Sequence, residues 1–190
     1  YCEKVEERFS EIGHHIVGIH TFADPVQAVH KAEAIVVGGG NTWQLVRMLH
    51  ENNLMNPIRE RVFSGVPYIG WSAGANVACP TLRTTNDMPI VDPKGFECTG
   101  LIPFQINPHY LDAHPEGHGG ETREQRIQEF IEINPDVFVA GLREGTMFKV
   151  ENKKLTLVGN KTCRIFKKGQ EPRELSATDD FSFLCCDRLF

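Results

Sequence analysis

The sequence predicts an α/β domain built on a mostly parallel sheet, with helices on both faces and a β-rich C-terminal edge. Three observations lead there. Short, wholly apolar runs such as Ala34-Ile35-Val36-Val37 and Val137-Phe138-Val139-Ala140 have the composition of strands buried on both faces. Segments with apolar residues at helical spacing alternate with those runs. Finally, Gly70-Trp71-Ser72-Ala73-Gly74 joins an apolar run to a helix-forming stretch and has the G-x-S-x-G form of a nucleophile elbow.

In chain order, Val5, Phe9 and Ile12 share one helical face, and Gly13 ends that helix. An α/β domain commonly opens on a strand, so a first strand ahead of Tyr1 is expected. Ile16-Val17-Gly18-Ile19 reads as a short strand. Asp24 followed by Pro25 is an N-cap with proline in the first turn, opening a helix over 24–32. The strand at 34–37 runs into Gly38-Gly39-Gly40, and a helix over 42–50 follows. Asn56-Pro57 caps another helix ending near Phe63. Val66-Pro67-Tyr68-Ile69 is the elbow strand, and Ala75-Asn76-Val77-Ala78 the start of the elbow helix. Phe104-Gln105-Ile106 is a strand leading to Asn107-Pro108-His109. Residues 121–133 form a charged helix with Ile127, Phe130 and Ile131 inward. The strand at 137–140 leads to Arg143-Glu144-Gly145. Two alternating strands, 146–150 and 155–158, then pair across Asn152-Lys153. No repeat or linker divides the 190 residues, which read as one domain, 1–190.

Composition excludes several classes. A net charge of −5 without an extended basic run argues against nucleic-acid binding. No apolar stretch approaches the roughly 18 residues of a membrane span. The six cysteines have neither zinc-ligand nor disulfide-framework spacing, so they read as reduced thiols, most of them buried, in a cytoplasmic protein. His114 and His118 are spaced for a helical metal site, but Pro115 and Gly117 between them argue against the helix, and no metal or other cofactor is expected.

Functional groups of such a sheet gather at the carboxyl ends of its strands. Gly38-Gly39-Gly40, Ser72, Asn107-Pro108-His109 and Glu144 each follow a predicted strand there. Together they supply a serine hydrolase: Ser72 as nucleophile, His109 as base, and Asp87 or Glu144 as the carboxylate that orients the imidazole. The N–H groups of Ala73 and of Gly39 or Gly40 are the expected oxyanion donors.

The run from Gly70 to Pro80, the stretch Arg83-Thr84-Thr85-Asn86-Asp87-Met88-Pro89-Ile90-Val91-Asp92-Pro93, the segment Gln105-Ile106-Asn107-Pro108-His109, the segment Pro115-Glu116-Gly117-His118 and the run from Gly120 to Ile127 closely resemble the peptidase E family. So does Val37-Gly38-Gly39-Gly40-Asn41-Thr42. The resemblance implies a class I glutamine amidotransferase-like fold and a cytoplasmic serine peptidase, free of metal and cofactor, that cleaves dipeptides with an N-terminal aspartate. It also implies an N-terminal strand region ahead of the part that resembles Tyr1 to Ile12. Ser72 matches the family nucleophile and His109 its base. The position matching Asp87 has been regarded as the acid, with that of Glu144 a competing assignment; topology favours Glu144. Arg123, in the matching Glu-Thr-Arg-Glu segment, is the expected cation for the substrate carboxylate, and Asn107 a further substrate contact. A small peptide is the expected partner of a monomer or homodimer. A cyanophycinase-like hydrolase of aspartyl bonds, or a non-catalytic binding protein that keeps the pocket, are the other functions compatible with these residues. The stretch from Glu171 to Phe190 is longer than the bacterial pattern.

Overall fold

The structure, a computed structural model, describes residues 1–112 and 119–185. Its elements are α1 (Cys2–Ser10), α2 (Pro25–Lys31), β1 (Ile35–Val37), α3 (Thr42–Glu51), α4 (Met55–Phe63), β2 (Tyr68–Gly70), α5 (Ala73–Ala78), β3 (Gln105–Pro108), α6 (Arg123–Ile133), β4 (Val139–Leu142), β5 (Thr146–Glu151), β6 (Lys154–Gly159), β7 (Cys163–Phe166) and β8 (Arg173–Leu175). The α/β class and the order of its elements follow the sequence reading, with the parallel pairing split between two sheets. β1 and β2 run parallel, with Val37 opposite Gly70. β3 and β4 run parallel, with Pro108 opposite Leu142. β7 and β8 extend the second sheet antiparallel beyond β4, and β5 and β6 form a separate hairpin.

The helix starts obey local chemistry. The Asp24 and Asn41 carboxylate and amide oxygens accept from the N–H groups of Gln27 and Gln44. Thr122 and Gln125 form a reciprocal capping box that opens α6. By contrast, Asn56-Pro57 does not cap α4, which begins at Met55 behind Leu54 with no side-chain cap. The expected strand at 16–19 is also absent. Val17 and Ile19 are about half exposed and pair with no strand among the described residues, so the segment stays extended and closes a single 3-10 turn, Ile19–Thr21. Nor did the amphipathic segments that become β7 and β8 stand out as strands.

α5 is the hub of the packing. Each of its residues is buried. Ala75 and the following Cys79 enter a core with Phe104, Ile106, Ala140 and Ile165, whereas Val77 enters another with Val29, Ile35, Val46 and Ile58. Ile127 and Ile131 of α6 pack with Tyr110, Val139 and Phe166 in a third. A Cβ on Gly74 would lie 1.9 Å from the Val37 carbonyl oxygen, so only glycine lets α5 sit this close to β1. That contact presses the end of the elbow helix onto the strand before Gly38-Gly39-Gly40. Among the described residues, no helix is long and apolar enough to cross a membrane.

Candidate active site

Ser72 sits between β2 and α5 with φ 56° and ψ −117°, outside the regions that L-residues favour. Such strain is held only where the surroundings over-determine it. Here β2 is paired to β1, and α5 is locked into the core. The turn lifts the Ser72 hydroxyl toward β3. His109 directly follows β3 and also has positive φ, at 54°. The Tyr110 N–H then donates to the Leu142 carbonyl at 3.1 Å. This register brings the residue after β3 beside the residues after β4.

The three side chains meet in one chain of hydrogen bonds. Ser72 Oγ lies 2.9 Å from His109 Nε2, and His109 Nδ1 pairs with Glu144 Oε1. An ionised carboxylate only accepts, so Nδ1 carries the imidazole proton and Nε2 is left to accept from the serine. The Ala73 N–H, at the first turn of α5, and the Gly40 N–H meet no acceptor among the described residues. Gly39 differs, because its N–H donates to the hydroxyl of Tyr1 at 2.9 Å.

Asp87 lies apart from this chain. Its Oδ2 accepts from the Thr42 N–H at 2.7 Å and from the Thr42 hydroxyl at 2.6 Å. The Trp43 indole N–H donates to its carbonyl at 3.1 Å. Asp87 therefore closes the N-terminus of α3, where a carboxylate complements the helix dipole. Asn107 is buried, and its amide donates to the Thr84 carbonyl and to Asn86 Oδ1 at 2.9 and 2.7 Å. Those bonds hold the 84–86 loop on β3, and Asn107 does not line the cavity beside Ser72. Arg123 opens α6, half-buried, with no ion pair or hydrogen bond of its side chain among the described residues. Burial lowers its pKa and neighbouring Arg126 adds to this, while nearby Asp87 opposes it. It too stands outside the cavity lining. His114 and His118 lie outside the described residues.

A cavity of about 840 Å³ opens at Ser72, His109 and Glu144. Its wall is largely apolar, from Tyr68 and Ile102 to Met147 and Phe148 of the β5–β6 hairpin. Burial pushes the Cys79 and Cys163 thiols up to about 12, so both stay protonated at neutral pH.

Sequence reasoning missed two features around this site. Tyr1 is 38 residues from Gly39, and nothing local signals their contact. Arg143, beside Glu144, forks onto Asp112 and onto Glu174, with the Nη1–Glu174 Oε2 contact at 2.9 Å. It also lies over the Tyr110 ring, 5.4 Å from its centroid. The neighbours of both His109 and Glu144 are thereby pinned together.

The family model of peptidase family S51 matches residues 1–158. The chain belongs to peptidase family S51. Peptidase E of Nostoc sp. is 51% identical over 184 residues, which are 97% of this chain and 76% of that protein. Peptidase E of Salmonella arizonae is 52% identical over 181 residues, 95% of this chain and 79% of its own length. The crystal structure of a peptidase from an acI-B1 Actinobacterium is similar with a TM-score of 0.58 at 24% identity. The match covers 83% of this chain and 62% of that one, and it supports the fold assignment.

Proposed function

We propose that this S51 family member is a serine dipeptidase that hydrolyses Asp-Xaa dipeptides through an acyl-enzyme. The observation that carries the reading is the hydrogen-bonded chain from Ser72 through His109 to Glu144. His109 Nε2 takes the Ser72 proton as Oγ adds to the scissile carbonyl. Glu144 stabilises the imidazolium that forms. The carbonyl oxygen becomes an oxyanion near the N–H groups of Ala73 and Gly40. As the tetrahedral intermediate collapses, the C–N bond breaks, and His109 returns the proton to the leaving amine. Water, deprotonated by the same imidazole, then releases the acyl group. The apolar cavity beside His109 receives the leaving residue. Arg123 and its surroundings at the start of α6 receive the aspartyl carboxylate, where a guanidinium with no ion pair among the described residues can bind it bidentately.

The test is hydrolysis of Asp-Leu beside Glu-Leu, Asn-Leu and β-Asp-Leu, with and without a chelator. Cleavage of Asp-Leu alone, unaffected by chelator, is expected. Ser72→Ala should fold normally and lose turnover by several orders of magnitude. Undiminished Asp-Leu cleavage by that variant would refute the mechanism, and preferential cleavage of β-Asp-Leu would refute the substrate.

A further inference from the structure

We infer that the phenolic hydroxyl of Tyr1 donates a hydrogen bond to the developing oxyanion, in the place the Gly39 N–H would otherwise hold. The inference rests on the serine-peptidase reading above. Gly39 is an expected oxyanion donor, yet its N–H is already engaged by the Tyr1 oxygen at 2.9 Å. The indole N–H of Trp71, the residue before the nucleophile, donates to that same oxygen at 3.0 Å. A tyrosine hydroxyl both accepts and donates. With two donors converging on the oxygen, its own proton is the bond left to make, and no acceptor meets it among the described residues.

The position fits the role. A Cβ on Gly39 would lie 3.4 Å from Ser72 Oγ and 3.7 Å from the Tyr1 oxygen. The phenol and the nucleophile therefore flank one point above Gly39. A Cβ on Gly38 would come within 2.7 Å of the phenol oxygen, so the missing side chain is what admits the ring. Tyr1 is 69% exposed, which leaves its hydroxyl end as the part that is held and aimed. The Gly39 and Trp71 dipoles polarise the O–H, as in any chain of hydrogen bonds. Tyr1 keeps its proton throughout and takes part in no covalent step. Negative charge reaches the carbonyl oxygen only as Ser72 adds, so the bond strengthens toward the transition state. Losing it should therefore lower kcat and spare KM.

The experiment compares wild type, Tyr1→Phe, Trp71→Phe, the double variant and Ser72→Ala on Asp-Leu. It also measures inhibition by an aspartyl aldehyde, whose adduct with Ser72 carries the same oxyanion. Tyr1→Phe should lower kcat by about ten- to a hundredfold, near the range for one oxyanion donor. KM should stay within about twofold, and aldehyde affinity should fall by the same factor as kcat. Trp71→Phe should cost less, and the double variant no more than Tyr1→Phe, because the indole acts through the phenol. Wild-type kcat and aldehyde affinity in Tyr1→Phe would overturn the inference, and so would a raised KM with kcat intact. Failure of the underlying reading is distinct. Either Ser72→Ala keeps turnover, or the wild type neither cleaves nor binds the aldehyde, and then there is no oxyanion for Tyr1 to meet.

Discussion

Glu144 Oε1 meets His109 Nδ1, whereas Asp87 Oδ2 is taken by the backbone and hydroxyl of Thr42. The two candidate acids are thus separated by what each already binds. Glu144→Gln keeps the shape but removes the charge that, in the proposed mechanism, stabilises the imidazolium, and its amide can turn a donor toward Nδ1. Its kcat on Asp-Leu should fall by roughly two to four orders of magnitude with little change in Tm. Asp87→Ala removes a helix cap and should cost about 1–2 kcal/mol in denaturant unfolding while kcat stays near wild type. The reverse pattern, with kcat lost in Asp87→Ala and kept in Glu144→Gln, would make Asp87 the acid. In the sequence only topology favoured Glu144, because both carboxylates lie in loops and the contact that occupies Asp87, to Thr42, spans 45 residues. The meeting of Ser72 with His109 was legible from local signals. Each is announced by its own neighbours, a G-x-S-x-G turn and a proline after an apolar strand.

At the scale of elements, what was legible is what local chemistry determines. β1 is Ile35-Val36-Val37, too apolar and β-branched to be anything but a buried strand. α2, α3 and α6 carry their caps in sequence. β7 and β8 were not legible, since Arg164 and Glu174 interrupt them and their strand character comes from pairing to β4 and to each other. The 16–19 segment failed as a strand for the complementary reason, having strand composition and no partner strand among the described residues. The elbow shows how close packing turns a motif into geometry. Gly74 leaves α5 against β1 with no room for a methyl group. Gly74→Ala should therefore force α5 off β1, at a cost of about 3 kcal/mol or more, since the obstacle is a backbone carbonyl rather than a flexible side chain. Turnover should fall with it at temperatures where the variant is still folded, because α5 carries Ala73 and fixes Ser72. A variant with wild-type Tm would show that α5 can shift without strain.

Across the whole molecule, one charged network joins the sheet edge to the site. Arg143 after β4 binds Asp112 and Glu174, Arg164 of β7 binds Glu174 and Glu124 of α6, and Thr162 donates to Glu174 at 2.6 Å. It holds β4, β7, β8, α6 and the loop after His109 in one arrangement, none of which adjacent residues could signal. Burial alone would raise the Glu174 pKa, but bonds from Arg143, Thr162 and Arg164 outweigh it and pull the carboxyl from 4.5 down to about 2. A carboxyl whose pKa is lower folded than unfolded stabilises the fold above its unfolded value, and that stabilisation is lost as pH falls through the folded one. Glu174→Gln keeps the size and some of the hydrogen bonds while removing the charge. Its Tm should lie below wild type by a constant margin from neutral pH down to about 4.5, and the margin should close between there and about 2. Taking the difference between the two proteins cancels the other carboxylates that titrate in the same window. High salt should shrink the margin, since the network is partly exposed. A gap that persisted unchanged at pH 2 would mean that Glu174 contributes packing and neutral hydrogen bonds rather than charge. The ion pair of the clamp behind His109 and Glu144 would then be that of Arg143 with Asp112.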